Sequence, residues 1–345
     1  MNPAVWALLL STLSASTVIV LSSFHWLLAW MALEMNTLSI LPIITKHNHP
    51  RATEAATKYF LIQAAAAALI LQSAAMNALQ TGQWAITQPL HPVTAVTLMT
   101  AIIFKLGLAP AHAWFPEVLQ GSTMNTALII STWQKLAPLS FLYMTMPYLP
   151  IWLLLYIGLV SAIVGGLMGL NQTQTRKVLA YSSIAHMGWL IIAAVMSLSL
   201  ATLTLLLYII AATAMFSIFK ATSTKTLADL TTSWPYSPTL QTMTLVTLIS
   251  LAGLPPLTGF MPKMLIIKDL AALTLIPLSI MMTLATLPSL FFYIRMMYLS
   301  TMTKPPSTTN NKHQWRFKLE LFKLTTLLMF MSTSLFIITP LLNNL

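Results

Sequence analysis

Long apolar runs follow one another along the chain, separated by short polar stretches that often contain proline or glycine. Hydrophobic residues make up 57% of the 345 positions, and the mean hydropathy is +0.80. A run of about 20 apolar residues crosses the hydrocarbon core of a bilayer as one helix. Helices satisfy their own backbone hydrogen bonds, for which lipid offers no partners. The sequence therefore predicts an all-α polytopic membrane protein with a single membrane domain over residues 1–345.

Dividing the chain at its polar and Pro/Gly clusters predicts about eleven transmembrane helices. The first apolar run has no basic segment or cleavage site before it, so we expect it to stay in the membrane. The predicted helices cover residues 3–21, 25–45, 55–79, 93–119, 123–145, 151–170, 176–196, 200–219, 240–270, 273–299 and 321–342.

Two of these predicted helices contain a matching break. The first lies in K-L-G-L-A-P-A-H-A-W-F-P-E, with Gly107 and Pro110. The second lies in S-L-A-G-L-P-P-L-T-G-F-M-P-K, with Gly253, Pro255 and Pro256. Proline removes a backbone donor and clashes with the preceding turn, so each helix should end there. Interrupted helices at matching places in two halves are typical of transporters that are built from internal repeats.

The positions of the breaks also predict the symmetry of the fold. They fall in the fourth helix of predicted helices 1–5 and in the fourth of helices 6–10. A five-helix unit is odd, so its second copy starts from the opposite membrane face and the repeats are inverted. We therefore predict a first repeat at 1–146, a second at 147–300, and a loop with one added helix at 301–345.

Several familiar sources of chemistry are missing from the sequence. Cysteine is absent, which excludes disulfides and cysteine-ligated iron–sulfur clusters. No nucleotide-binding or metal-protease motif is present, and we expect no bound metal. The net charge of +11 comes from basic residues spread singly over loops, which argues against nucleic acid as a partner. Any transport must therefore be driven by a partner.

Ionisable residues inside the predicted helices are the functional candidates. A charge at the bilayer centre costs about 2.5 to 3.5 kcal/mol on insertion scales, so such residues are rarely incidental. Burial disfavours the ammonium form of lysine, which makes a buried lysine able to exchange protons. The alternative is that each lysine is a static charge satisfied by a carbonyl freed at a proline. The candidate relay residues are Glu34, Lys105, Lys135, Lys263, His112 and His186.

The arrangement predicts roles for these groups. Glu34 and Lys105 are expected to pair, and their separation would let Lys105 release its proton. Histidine titrates near neutrality, so His112 and His186 could bridge the lysines. Charges near helix ends have plainer explanations: Glu117 caps or pairs locally, and Lys58, Lys220, Lys268, Asp269 and Arg295 reach toward the membrane surface.

The breaks, together with M-A-L-E-M-N around Glu34, resemble the antiporter-like membrane subunits of NADH:ubiquinone oxidoreductase, respiratory complex I, and the similar Mrp-type antiporter chains. Members of that family have fourteen helices, so the three before the first repeat are absent here. The resemblance implies redox-coupled proton translocation: Glu34 and Lys105 form the family's pair, Lys135 is the bridging lysine, and Lys263 belongs to the second half-channel.

The resemblance also implies the setting. NADH, FMN, iron–sulfur clusters and ubiquinone would bind to other subunits, with no cofactor in this chain. Its partners would be a neighbouring antiporter-like chain, the small membrane chain leading to the quinone site, accessory subunits and phospholipids. The Met- and Thr-rich composition, with 22 methionines, is typical of an organellar genome. Together with the resemblance, this composition predicts a mitochondrial inner-membrane protein. The excess of basic residues on one set of loops predicts an N-terminus in the matrix and a C-terminus in the intermembrane space.

Two other classes of function remain open. One is a free-standing cation/proton antiporter, which would need carboxylates or carbonyls for its cation. The other is a structural subunit of the membrane arm whose buried lysines are relics.

Overall fold

The computed structural model describes residues 3–47, 49–231, 238–301 and 323–334. All regular secondary structure in these residues is helical. Seven of the helices are long and apolar enough to cross a membrane, and shorter apolar helices cover Pro92–Leu106 and Thr239–Ala252. The prediction of an all-α membrane protein is confirmed, whereas the count of eleven spans stays a prediction.

The chain divides into two compact units, Met1–Ile157 and Gly158–Leu345. In the first unit, α3 packs against α2, α4 and α5, and α1 packs against α2. Short 3-10 turns lie at Thr45–His47, Trp133–Lys135 and Met146–Tyr148. The α-helices of this unit are α1 (Pro3–Ser22), α2 (Trp26–Ile44), α3 (Pro50–Thr81), α4 (Pro92–Leu106), α5 (Trp114–Gly121), α6 (Met124–Ser131) and α7 (Leu136–Thr145).

In the second unit, α10 is the central helix and packs against α9, α12, α13 and the last described helix. The helix α8 (Ile151–Gly169) starts just before the boundary between the units. Much of the predicted 301–345 segment lies outside the described residues. The remaining helices are α9 (Thr175–Met196), α10 (Leu198–Ala221), α11 (Leu227–Thr231), α12 (Pro238–Ala252), α13 (Phe260–Ala272), α14 (Ile276–Thr301) and α15 (Lys323–Ser334).

The helix α3 begins earlier than the sequence predicts. Pro50 occupies the first helical turn, where its fixed φ suits a helix and its missing N–H costs nothing. The side chain of His49 caps this end by accepting a hydrogen bond from the backbone N–H of Arg51 at 3.1 Å. The charged first turns of this helix were assigned to a loop in the prediction, because they lack apolar periodicity.

A short helix that was not predicted, α11, follows α10. It is fastened by an isolated backbone bridge between Gln174 and Thr226. The carboxylate of Asp229 accepts from the backbone N–H groups of Lys225 and Thr226 at 2.9 and 2.8 Å. Partial burial works against ionisation here, but these hydrogen bonds lower the pKa of Asp229 below its usual value. The ionised carboxylate thus stabilises the start of a helix that is too short to form by itself.

Candidate functional site: two broken helices and their lysines

The first break separates α4 from α5. Gly107 adopts a left-handed conformation, with φ +68°, and the backbone N–H of Leu108 bonds to the carbonyl of Ile103 at 3.1 Å. This is the hydrogen-bond pattern of a glycine-terminated helix. A Cβ on Gly107 would also lie 3.2 Å from the Cβ of Phe115. Glycine therefore allows both the left-handed backbone and the close packing of Phe115. The chain resumes a helix only at Trp114.

Lys105 lies in the last turn of α4, directly before this break. Its side chain is buried, with 6% of its surface exposed. Among the described residues, its Nζ has no hydrogen-bond partner. The second half-helix covers it, because Trp114 and Phe115 line the same cavity as Lys105.

The side chain of Lys135 lines the same cavity, and this residue lies at a different interruption of a helix. The predicted continuous helix at 123–145 is wrong: α6 ends at Ser131, and a 3-10 turn over Trp133–Lys135 precedes α7. The cause is Pro138, which cannot donate to the carbonyl of Gln134 and whose ring crowds that carbonyl. The Nζ of Lys135 lies 4.9 Å from the ring centroid of Phe115, a cation–π distance.

The structure therefore places Lys105 and Lys135 on one cavity of about 10 Å³, close to the volume needed for a single water. Uncharged polar side chains complete its lining. Tyr59 donates from its hydroxyl to Gln134 Oε1 at 3.3 Å, and Gln134 Nε2 donates to Asn36 Oδ1 at 3.0 Å. The sequence does not predict these residues from charge, because they carry none. A sequence signal for them exists, because amides and a tyrosine hydroxyl are unusual on otherwise apolar helices.

Glu34 lies beside this site without a direct bond to Lys105. Its Oε2 lies 2.9 Å from the hydroxyl of Thr37, one turn along α2, and the same hydroxyl lies 2.8 Å from the backbone carbonyl of Glu34. Thr37 itself lines the cavity. Within the described chain, the ion pairs closer than 4.0 Å do not include Glu34 and Lys105. The predicted contact pair is thus open in this conformation, and Thr37 stands between the half-buried carboxylate and the cavity.

At the second break, between α12 and α13, the backbone ends the helix in the same way as at the first. Gly253 has φ +82°, and the N–H of Leu254 bonds to the carbonyl of Ile249 at 3.4 Å. Lys263 stands after this break, and its Nζ donates to the carbonyl of Ala252 at 3.0 Å. Ala252 is the last residue of α12, so its carbonyl lacks a partner within the helix. This contact is the static arrangement that the sequence analysis kept open as an alternative.

His186 faces the same region as Lys263. Both line a cavity of about 40 Å³, which has room for more than one water, with Tyr208 and Thr258 also in its wall. On the other side, the Nε2 of His186 lies 3.5 Å from the hydroxyl of Tyr293. The histidine thus stands between two tyrosines, and its ring centroid is 5.7 Å from that of Tyr208. Neither tyrosine was singled out from the sequence.

The remaining candidates lie apart from the two cavities. His112 is half-buried in the first break, and its Nδ1 is 3.1 Å from the carbonyl oxygen of Pro110. Glu117 pairs with another helix and not locally: its carboxylate lies 2.7 Å from the exposed ammonium of Lys58 on α3. The Nη1 of Arg295 donates to the carbonyl of Leu170 at 2.9 Å, just beyond the end of α8.

Comparison with known proteins places this geometry in a family. The family described as NADH:quinone oxidoreductase/Mrp antiporter, TM matches residues 23–289, and the NADH dehydrogenase subunit 2 C-terminus matches residues 290–343. The chain is 49% identical over 316 residues to NADH-ubiquinone oxidoreductase chain 2 of Xenopus laevis, covering 92% of both chains. It is 52% identical over 315 residues to the protein of that name in Anas acuta, covering 91% of both.

Solved structures show the same fold. A chain of respiratory complex I from Thermus thermophilus with bound aureothin superposes with a TM-score of 0.82 at 27% identity, covering 96% of this chain and 79% of that one. A chain of the Mrp complex from Dietzia sp. DQ12-45-1b gives a TM-score of 0.83 at 14% identity, over 97% and 75%.

Broken helices with buried lysines, and these matches, define a membrane chain of the NADH:quinone oxidoreductase/Mrp antiporter class. Within that class, the chain belongs to the NADH-ubiquinone oxidoreductase chain 2 family.

Proposed function

We propose that this chain is an antiporter-like membrane subunit of respiratory complex I that translocates protons when partner subunits reduce quinone. The observation that carries the proposal is the meeting of Lys105 and Lys135 at one water-sized cavity beside a helix break. Two lysines near the same small cavity disfavour each other's charged form, as burial does. Such a pair holds a proton weakly enough to pass it on.

The other candidate residues take roles around this pair. The carboxylate of Glu34 stabilises the protonated form of Lys105 when it approaches the ammonium. When the carboxylate is bonded to Thr37 instead, Lys105 loses that stabilisation and can release its proton. Lys263 and His186 form the corresponding site in the second unit, around the larger cavity. His112 lies in the first break, where its half-buried imidazole would be a further titratable group of the relay.

Paired features support the two inverted repeats at 1–146 and 147–300. Each break contains a glycine with positive φ, Gly107 or Gly253, followed by the same hydrogen-bond closure. An isolated backbone bridge joins His25, at the start of predicted helix 2, to Ala85, in the predicted loop before helix 4. The bridge between Gln174 and Thr226 joins the corresponding places before predicted helices 7 and 9. Such recurrence is expected if the units derive from one duplicated five-helix unit.

The proposed setting follows from the relatives. The chain would span the mitochondrial inner membrane, with its N-terminus in the matrix and its C-terminus in the intermembrane space. Its partners would be membrane-arm subunits of complex I, among them a neighbouring antiporter-like chain and the small chain near the quinone site, together with accessory subunits and phospholipids. NADH, FMN, iron–sulfur clusters and ubiquinone would bind to other subunits. In the part of the chain that the structure describes, no group of three or more acidic or histidine side chains could hold a metal ion.

One observation favours a second candidate function. The bond from Lys263 to the carbonyl of Ala252 suits a structural subunit, in which a lysine merely closes a helix end. A structural role of this kind does not suit Lys105, because its Nζ donates to no backbone carbonyl among the described residues. The free-standing antiporter has less support, because the likeness to the Mrp complex at 14% identity concerns the fold alone.

The proposal is tested by Lys105→Met in the assembled complex, with the exposed Lys46→Met as a matched control. We expect NADH:quinone turnover to fall by about 10²-fold, the lower end of the contribution that a positioned proton-transfer group makes. NADH oxidation by an artificial acceptor should not change, because that reaction bypasses the membrane arm. Wild-type turnover and proton pumping in an assembled Lys105→Met complex would contradict the proposal.

A further inference from the structure

The loop of the second break is bonded to the last described helix. The hydroxyl of Thr258 donates to the backbone carbonyl of Ser332, on α15, at 2.5 Å. The two residues are 74 positions apart in sequence, and both are buried, with 3% and 2% of their surfaces exposed. A buried hydroxyl that loses its acceptor cannot turn to solvent, so this bond is costly to break. Because the predicted repeats end at residue 300, the bond joins the second repeat to a helix outside it.

The helix α15 offers a fixed point for this bond. It packs against α10 and against α12, the half-helix that precedes the break. The Oγ of Ser332 donates to the carbonyl of Met329 at 2.7 Å, so the side chain of Ser332 is engaged within its own helix. The contact with the loop is therefore made by the backbone of α15, which no side-chain rotation can move.

The same loop shapes the surroundings of the second lysine. Thr258 and Lys263 line the same cavity of about 40 Å³. The Nζ of Lys263 lies 2.8 Å from the place that a Cβ on Gly253 would take, and it donates to the carbonyl of Ala252 at 3.0 Å. The lysine thus rests against the beginning of the loop, while Thr258 holds the end of the loop to α15.

The first break is different at the matching position. His112 and Thr258 each stand five residues after the glycine of their break. His112 is half-buried, and its Nδ1 lies 3.1 Å from the carbonyl oxygen of Pro110 in its own loop. Thr258 is buried and is bonded to another helix. The attachment is therefore a property of the second unit.

We propose that Thr258 is a positioning residue for Lys263, and that α15 belongs to the second lysine site through this hydrogen bond. The anchored loop keeps the carbonyl of Ala252 and the cavity wall in the places where Lys263 meets them. A group that must act in a defined geometry depends on such supporting contacts. The effect on turnover rests on the function proposed above, whereas the anchor itself does not.

Two substitutions at this position test the anchor in the assembled complex. Thr258→Val keeps the branched shape of the side chain and removes the hydroxyl. Thr258→Ser keeps the hydroxyl and removes the methyl group. Thr242→Val, at an exposed position on α12, is the matched control.

The first measurement is hydrogen–deuterium exchange of the peptide that covers residues 253–259. We expect about fivefold faster exchange in Thr258→Val, as for the loss of one hydrogen bond of ordinary net strength. Thr258→Ser and Thr242→Val should exchange as wild type does. NADH:quinone turnover should fall roughly tenfold in Thr258→Val, because a small displacement of a reacting group is costly. Thr258→Ser should restore it.

Three results would overturn the proposal. Wild-type exchange in Thr258→Val would show that the hydroxyl does not anchor the loop. Equal losses in Thr258→Val and Thr258→Ser would assign the effect to packing of the methyl group. Faster exchange with wild-type turnover would remove the positioning role.

A density map of the wild-type complex keeps the proposal testable if Thr258→Val does not assemble. We expect Oγ of Thr258 within hydrogen-bonding distance of the carbonyl oxygen of Ser332, and a longer separation would overturn the anchor. Neither the map nor the exchange measurement depends on pumping. Their failure would therefore remove the anchor and leave the lysine relay to the Lys105→Met test.

Discussion

Gly259→Ala should almost abolish the assembled complex. A Cβ at this position would overlap the carbonyl oxygen of Ser250, which belongs to the backbone of the half-helix α12 and cannot rotate away. The half-helices α12 and α13 would have to separate, at a cost of about 3 kcal/mol or more. That is a large share of a typical folding free energy of about 5–15 kcal/mol. The measurement is the amount of assembled complex on native gels.

Gly82→Ala is the control for this substitution. Gly82 has φ +71°, so alanine is strained there by about 1–2 kcal/mol, but no atom lies within 4 Å of its added Cβ. Assembly of Gly259→Ala at the level of Gly82→Ala would show that the close approach at the second break is unimportant.

Lys263→Arg should assemble and fail to couple. Arginine keeps a donor for the carbonyl of Ala252 and has the adjoining cavity of about 40 Å³ to enter. It cannot lose its proton in a protein. If Lys263 relays protons, we expect turnover to fall by about 10²-fold, within the range attributed to general acid–base groups. If the lysine only closes the helix end, arginine should replace it without loss.

The exposed Lys268, on the same helix, provides the matched control as Lys268→Arg. The readouts are quinone reduction and protons moved per electron, compared at equal amounts of assembled complex. Full coupling in Lys263→Arg would contradict the relay at this position and favour the structural role.

The helix breaks were accessible from the sequence because proline and glycine act locally. Pro110 and Pro256 remove donors wherever they stand, and Gly107 and Gly253 follow the last helical turn as glycine caps do. The interruption before Lys135 obeys the same rule through Pro138. It was missed because the uninterrupted apolar pattern outweighed a single proline. Periodicity shows where a helix is buried but not where its backbone changes geometry.

The candidate site could be predicted only in part. Charge within apolar runs identified Lys105, Lys135 and Lys263, because burying an ammonium is costly whatever surrounds it. The groups that surround them are uncharged, and their importance depends on tertiary neighbours. Gln134 lies 98 residues from Asn36 in sequence and bonds to it in space. No local pattern contains such a pair.

The separation of Glu34 from Lys105 illustrates the same limit. Opposite charges within predicted membrane helices suggested an ion pair, whereas the carboxylate is bonded to Thr37 one turn away on its own helix. A local hydroxyl competes with a distant ammonium, and the preferred partner depends on the conformation of the break. In the proposed mechanism this competition is the switch.

If the buried lysines carry protons during redox turnover, Lys135→Met should uncouple the complex. Lys135 lines the same cavity as Lys105 and is 3% exposed. The measurement is the number of protons pumped per electron by reconstituted complex during NADH oxidation, with assembly and artificial-acceptor activity as controls. We expect intact assembly with a lower ratio or sharply reduced quinone turnover. Wild-type values of both would contradict it and leave the chain as a scaffold of the membrane arm.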